Sequence, residues 1–581
     1  MELKTFSQLK RNQKELPPAS KRLRIAVLGD STTQLLAQAL RGTALDRNLD
    51  LQIWEADFNQ IERQILDSGS DLYEFKPEAV VVFQATHKML CRYDKLSGSE
   101  RGGFASAQLQ LIDRLHESIR ENLRASVVFY NFPEIDDAVF GSYANKVEPS
   151  FLFQLRKLNY ELMLMAARVP SFFVCDLSSI QNRVGRRTMF QGSIYVNTEM
   201  VLTTEVLPAV AAKTLDVLDA IRGKARKCVV LDLDNTLWGG VIGDDGIENI
   251  EIGSLGVGKA YTEFQCWLKK LKERGIILAV CSKNTEVVAK EPFEKHPDMV
   301  LRLEDIAVFV ANWDNKINNI RQIQQTLNIG FDSMVLLDDS PFERQMVREN
   351  LPGVCVPNLP EDPSDYLEYL YSLNLFETAS FSVEDAERTA KYAVETQRRE
   401  LKEKFANEDD FLRSLGMVSA VENFNKFNTP RVAQLSQRSN QFNLRTVRYT
   451  EAGIADIAAS ANHFGFSFTL EDKLGDNGLI CVVILEKLPE EALFIDSWFM
   501  SCRVLKRGME NFVLNTLVEF ARSEGCERLI GEYLPTSKNQ MVEDHYRQLG
   551  FSPDGGRWIL QLSRYRNART FINRKSTEAL V

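Results

Sequence analysis

Asp232 and Asp234 stand one residue apart in the run Lys227-Cys-Val-Val-Leu-Asp-Leu-Asp-Asn-Thr236, directly after a short apolar stretch. In an extended chain residues two apart share a face, so the pair is expected to project together from a strand end. Two such carboxylates repel each other unless a cation or a shared proton relieves them, and hard oxygen ligands favour magnesium. Ser282, Lys316 and the pair Asp338-Asp339 follow at or near the ends of further apolar runs. Gathered at one sheet edge, these groups would supply a carboxylate nucleophile, a second carboxylate for proton transfer, metal ligands, and a hydroxyl and an ammonium for phosphate oxygens. Positioning and charge neutralisation are most of what phosphoryl transfer asks of a protein. A lone D-x-D would more simply end a strand or cap a helix. The ordered company of the other residues argues for a site.

The elements that must carry these residues are strands alternating with helices. The chain has 581 residues, enough for three or four domains. Three strand-then-turn units divide it. The spacing predicts an N-terminal extension over 1–20, an α/β domain over 21–223, a second α/β domain over 224–379, a helical connector over 380–416, an α+β domain over 417–565 and a tail over 566–581. In the first domain, apolar runs at 79–84, 125–131 and 171–177 follow the strand that ends in Gly29-Asp30-Ser31. In the second, the runs near 275–284 and 331–340 end, like the first, in acidic or hydroxyl residues, and side chains at such carboxyl ends converge on one crevice. The connector is dense in Glu, Arg, Lys and Ala, which reads as a solvated helical face.

Composition narrows the class. Apolar residues make up 44% and charged residues 26%, a globular mix. The net charge of -10 weakens a nucleic-acid or anionic-membrane reading. Nine cysteines without a C-x-x-C pair indicate neither a disulfide framework nor a zinc ribbon, and fit a reducing compartment. No stretch reaches the ~20 apolar residues of a spanning helix. A cytoplasmic protein is expected, with neither nucleic acid nor membrane as partner.

The D-x-D-x-T motif with Ser282, Lys316 and Asp338-Asp339 resembles the haloacid dehalogenase (HAD) phosphatase superfamily. That resemblance implies Asp232 as nucleophile, Asp234 as general acid/base, Ser282 and Lys316 as phosphate and charge partners, and Asp232, Asp234, Asp338 and Asp339 around Mg2+. At finer grain, DLDNTLWGGVIGDDG (232–246), CSKN (281–284), LLDDSPFER (336–344) and QLSQRSNQFNLRTVRYT (434–450) resemble the FkbH-like family of HAD subfamily IIIC. The likeness covers most of the chain. It implies removal of phosphate from a glyceryl donor such as 1,3-bisphosphoglycerate and loading of the acyl group on an acyl carrier protein thiol. Thr236, Asn284, Asn440, Gln441 and Asn443 would contact the phosphorylated small molecule, alongside Arg438 and Arg445. The short spacing from Asp232 to Ser282 leaves little room for a large cap, so the site should be open.

The outer domains resemble two further families. Ser501-Cys-Arg-Val-Leu-Lys-Arg-Gly508 before a helix is similar to the phosphate loop of GNAT acyltransferases, [QR]-x-x-G-x-[GA], with Arg503 and Gly508 matching and Lys506 in place of the first glycine. Arg503, Lys506, Arg507, Gly508 and Asn539 would then bind the phosphopantetheine or CoA thioester. Tyr546 would protonate a departing thiolate; equally, it packs a helix against a strand. Cys502 could take an acyl group in transit, though a cysteine there is more often a small buried hydrophobe. Gly29-Asp30-Ser31 resembles the first block of SGNH hydrolases, with Ser31 as nucleophile. The histidine base of that chemistry has no counterpart in context, since only His87 and His116 precede residue 223. The expectation is an SGNH-like, flavodoxin-type three-layer domain, a HAD Rossmann-like domain without a large cap, and an α+β GNAT-like domain. Two rival readings stand beside it: a phosphatase joined to an acetyl-CoA-dependent N-acetyltransferase of sugar precursors, and a scaffold with degenerate outer domains.

Overall fold

A computed structural model describes residues 3–575 apart from 13, 18–20, 124, 382–390, 393, 396–397, 399–400, 403, 440, 502–503 and 537. The chain divides into two compact units, Met1–Ile221 and Arg222–Val581. The first holds five parallel strands, β1 (Lys21–Gly29), β2 (Leu49–Glu55), β3 (Ala79–Phe83), β4 (Ser126–Tyr130) and β5 (Phe172–Cys175), in the order 2-1-3-4-5. Alternate residues of β1 serve opposite faces: Ile25 and Val27 pack in one apolar cluster, Ala26 and Leu28 in another. Burial on both faces is what a parallel sheet with crossover helices requires, and this strand order puts its reversal point beside β1.

The second unit begins with four parallel strands, β6 (Cys228–Leu231), β7 (Ile277–Ser282), β8 (Val308–Ala311) and β9 (Met334–Leu337), in the order 8-7-6-9. Val229 and Leu231 face one core, Cys228 and Val230 the other. Between Asp232 and Ser282 lie the helices Ile242–Asp245 and Gly256–Glu273, and, β7 itself apart, no strand among the described residues.

The remaining strands form a mixed sheet. Its central members are β10 (Val418–Ser419), β11 (Val421–Asn423), β12 (His463–Asp472), β13 (Gly475–Leu488), β14 (Ala492–Met500) and β15 (Arg528–Gly531). β16 (Ser552–Asp554) and β17 (Arg557–Gln561) extend one edge, and β18 (Asn573–Arg574) pairs with β10 at the other. The Arg- and Asn-rich stretch expected to be a tail therefore contributes a strand, and Ile572 is buried. The connector also differs from the solvated face expected. Tyr392 packs into one core of the four-stranded domain, while Arg398, 3% exposed, forks onto Asp472 with both bonds at 2.9 Å. Charge density there reflects buried pairing as well as solvation. No helix among the described residues is long and apolar enough to cross a membrane.

Candidate functional site

The four parallel strands of the second unit deliver the site at their carboxyl ends. The amide of Asp232 donates to Leu337 O at 3.0 Å, prolonging the β6–β9 ladder by one bond and fixing where the carboxylate leaves the sheet. Asp338 and Asp339 follow β9 directly. Arg344, buried in the next helix, donates to their carbonyl oxygens at 2.7 and 2.6 Å and holds that turn. Lys316 opens the helix Lys316–Leu327 behind the N-cap Asn315, which accepts from Asn318 N. Its ammonium lies 2.6 Å from both Asp232 Oδ2 and Asp338 Oδ2.

Asp232, Asp338 and Asp339 each offer a carboxylate oxygen within 4.8 Å of the others. Burial, then repulsion from Asp232, pushes Asp338 up from 3.8 to about 6, against the pull of Lys316. The same two causes raise Asp339. Burial pulls the Lys316 ammonium down, yet Asp232 and Asp338 more than offset it and the net direction is upward. The clustered carboxylates carry more negative charge than the Lys316 ammonium answers. An all-oxygen set of this kind, short of positive charge, suits magnesium, which takes one or two carboxylates and keeps other positions for water or phosphate.

The Asp234 carboxylate is not in that cluster of side-chain oxygens, though it stands near enough to Asp232 for the two charges to repel. Asp232 and Asp234 lie just beyond the last residue of β6, yet the alternation runs on, with Leu233 joining Val229 and Leu231 in the same core. Asn235 takes a left-handed φ of 54°, and Asp234 Oδ1 accepts from Trp238 Nε1 and Ile242 N, both at 3.0 Å. Asp234 Oδ2 accepts from Asn284 Nδ2 at 2.8 Å. Burial raises its pKa despite these bonds. Thr236, fully buried, donates to Asp339 Oδ1 at 3.3 Å and accepts from Asp339 N at 3.1 Å, tying the β6 and β9 loops together. Ser282 ends β7, and its carbonyl accepts from Asn312 N at 3.2 Å. Trp238 and Arg344 were not singled out from the sequence. Their signal was the motif text itself, in which both residues stand.

The loop before the helix Met509–Ser523 is less open. Lys506 adopts a left-handed φ of 62° where the glycine was expected, and Gly508 follows at 76°. Arg507, expected to meet a cofactor, turns inward to Asp472 at 3.2 Å and to Glu395. Cys502, Arg503 and Asn440 lie outside the described residues. Asn539 is also spent internally: its Nδ2 donates to Asn443 O and Leu534 O, and its Oδ1 accepts from Thr536 N at 2.7 Å. Asn443, fully buried, accepts from Thr446 N through Oδ1, while Gln441 is partly exposed. Arg445 binds Asp496 at 2.5 Å and Glu532 at 2.7 Å.

The parallel pairing of β14 with β15 covers Ala492–Phe494 only. Beyond it, the chain's own 442–444 segment takes the edge of β14. Leu444 N donates to Trp498 O, Met500 N donates to Phe442 O, and Leu534 N donates to Leu444 O, at 3.2, 3.0 and 2.9 Å. Tyr546, 1% exposed, sits so close to Gly531 that a Cβ there would come within 2.3 Å of its ring. His545 packs edge-on against Trp498, and burial lowers its pKa to about 3. The 442–444 segment thus occupies part of the β14 edge, and the side chains of Arg507, Asn539 and Tyr546 are committed to the interior.

In the first unit, Ser31 is buried at the end of β1. His116 Nε2 pairs with Ser171 Oγ at 2.9 Å, and His87 packs on Phe190 and Tyr195. Among the described residues neither is hydrogen-bonded to Ser31.

Fold and site together define a parallel α/β domain with a carboxylate cluster and a buried lysine at the carboxyl edge of its sheet. The FkbH N-terminal domain family matches residues 24–219. The N-terminal part of the protein BF1531 from Bacteroides fragilis, described as containing a phosphatase domain and complexed with Mg, is 56% identical over 65% of this chain and 100% of that one, with a TM-score of 0.63. The chain belongs to the FkbH family and carries the homologue of that phosphatase domain. The Escherichia coli ribosomal-protein-S18-alanine N-acetyltransferase is 14% identical over 28% of this chain and 99% of its own, with a TM-score of 0.20. A spermidine N-acetyltransferase from Vibrio cholerae, in complex with CoA and spermine, is 11% identical over 25% of this chain and 96% of its own, at 0.21. No curated protein matches the chain.

Proposed function

We propose that the chain is a magnesium-dependent phosphatase acting on a phosphorylated three-carbon acyl donor of the 1,3-bisphosphoglycerate kind, whose acyl group then passes to a carrier-protein thiol as the acyl phosphate leaves as inorganic phosphate. The observation that carries the first half is the convergence of Asp232, Asp338 and Asp339 with Lys316 at one sheet edge. Asp232 attacks the phosphorus of the ester phosphate, the ester P–O bond breaks, and Asp234 gives its proton to the departing alkoxide. Asp234 then takes a proton from the water that attacks the aspartyl-phosphate, releasing inorganic phosphate and restoring Asp232. Trp238, Ile242 and Asn284 hold the Asp234 carboxyl in place, and Oδ2 keeps a lone pair for the proton. Lys316 steadies Asp232 and would meet the phosphoryl oxygens. Magnesium, held by Asp232, Asp338 and Asp339, would neutralise charge on those oxygens when bound.

The phosphate removed must be the ester. Attack by Asp232 on the acyl phosphate would release a free carboxylate and forfeit the activation a thiol needs. Acyl transfer is assigned to the C-terminal half by motif likeness, and no residue there is given a role in it. Incubation with 1,3-bisphosphoglycerate and a holo carrier protein, read by intact mass, tests the whole. A glyceryl adduct supports it; no adduct, with acetyl transfer from acetyl-CoA to an amine, favours an N-acetyltransferase instead.

A further inference from the structure

The first unit carries a cavity of about 250 Å3 at the carboxyl end of its sheet, lined among others by Ser31, Thr32, Thr33, Gln34, Phe58 and Glu199. That volume is close to the lower bound for small-molecule pockets. The turn from β1 into the helix Gln34–Asp46 is tight: a Cβ on Gly29 would lie 2.4 Å from Thr33 Cγ2 and 2.9 Å from Ser31 O. Thr33, the N-cap, makes no side-chain capping bond. The first-turn amides and the positive end of the dipole of this 13-residue helix are thus left to whatever enters the cavity.

A second observation is independent of the helix. Ser31 is 2% exposed, and its hydroxyl has no hydrogen-bond partner among the described residues. A buried hydroxyl without a partner is costly, and its persistence on a cavity wall calls for a ligand that supplies one. Lys88 stands beside two lining residues, its ammonium 5.5 Å from the centre of the Phe58 ring and paired with Glu199. The nearby acids do not spoil the field. Glu199 is met by Lys88, while Asp30 accepts from Ala85 N at 2.8 Å and faces Arg92 at 3.4 Å. With no histidine bonded to Ser31 among the described residues to take its proton, the hydroxyl is a donor rather than a nucleophile.

We propose that this cavity binds the oxyanion of a small acid, phosphate ester or carboxylate, through the Ser31 hydroxyl and the first-turn amides of the helix Gln34–Asp46, with Lys88 neutralising Glu199. Equilibrium dialysis of the full chain with magnesium chelated, using inorganic phosphate and separately glycerate, tests it. The expected result is one anion site that weakens at least tenfold in both Ser31→Ala and Gln34→Glu. The second substitution sets a carboxylate against the anion while suiting the helix dipole, so the fold is retained. Tighter phosphate than glycerate, or the reverse, decides between the two sources. Equal binding in wild type and both variants overturns the proposal, as does covalent labelling of Ser31 by a fluorophosphonate, which would mark a nucleophile.

Discussion

Asp232 and Asp234 differ in role because their surroundings differ. One shares a lysine with a carboxylate cluster, and the other is clasped by an indole, an amide and Asn284. Asp232→Asn should lower magnesium-dependent phosphate release by about 10³-fold or more with the fold intact, measured as phosphate set free from an aryl phosphate. Lys316→Met leaves buried carboxylates facing each other and should cost about 3–5 kcal/mol in urea unfolding. Asp30 gives a pH signature. Burial lifts its carboxyl from 3.8 to about 6. The folded state therefore holds this proton where the unfolded chain has lost it, and stability falls as pH rises from about 4 to about 6. The penalty above pH 6 is on the order of 3 kcal/mol. Thermal melts should show Asp30→Asn gaining on wild type across that window and holding a constant lead above it.

At the scale of elements, the clustered carboxylates stand where a strand gives way to a turn and Lys316 where a helix begins, and the turns are locked by bonds the strands do not make. Arg344 holds the carbonyls of Asp338 and Asp339, and Thr236 ties two loops together. Gly29 plays the steric counterpart in the first unit, and Gly29→Ala should cost about 1–3 kcal/mol because Thr33 and the Ser31 carbonyl have no room to yield. The connector is anchored by charge: Asp472 answers both Arg398 and Arg507. Asp472→Ala leaves two buried guanidiniums to share the one carboxylate of Glu395 and should lower the unfolding free energy by about 3–5 kcal/mol, read from denaturant midpoints.

For the whole molecule, magnesium should act as a folding ligand. At a concentration about one hundred times its Kd it is expected to add about 2.7 kcal/mol to wild type, seen as a higher melting temperature. The gain should vanish in Asp338→Asn, which removes one of the three clustered carboxylates.

Much of this was legible from residue type and spacing. Apolar runs ending in acids announced two parallel sheets, because a strand buried on both faces has little choice but continuous hydrophobicity. The motif residues Asp232, Lys316, Asp338 and Asp339 do meet at one edge. Local pattern did not reveal the bonds that hold Asp234, the inward turn of Arg507, the strand at 573–574 or the 442–444 segment seated on β14. Most of these depend on partners dozens to hundreds of residues away, and only the folded chain brings a donor to an acceptor across such a distance. Sequence by itself determined which chemistry was stocked at the strand ends; tertiary structure decided which side chains remain available to perform it, since a buried polar group must be satisfied by whatever the fold places beside it.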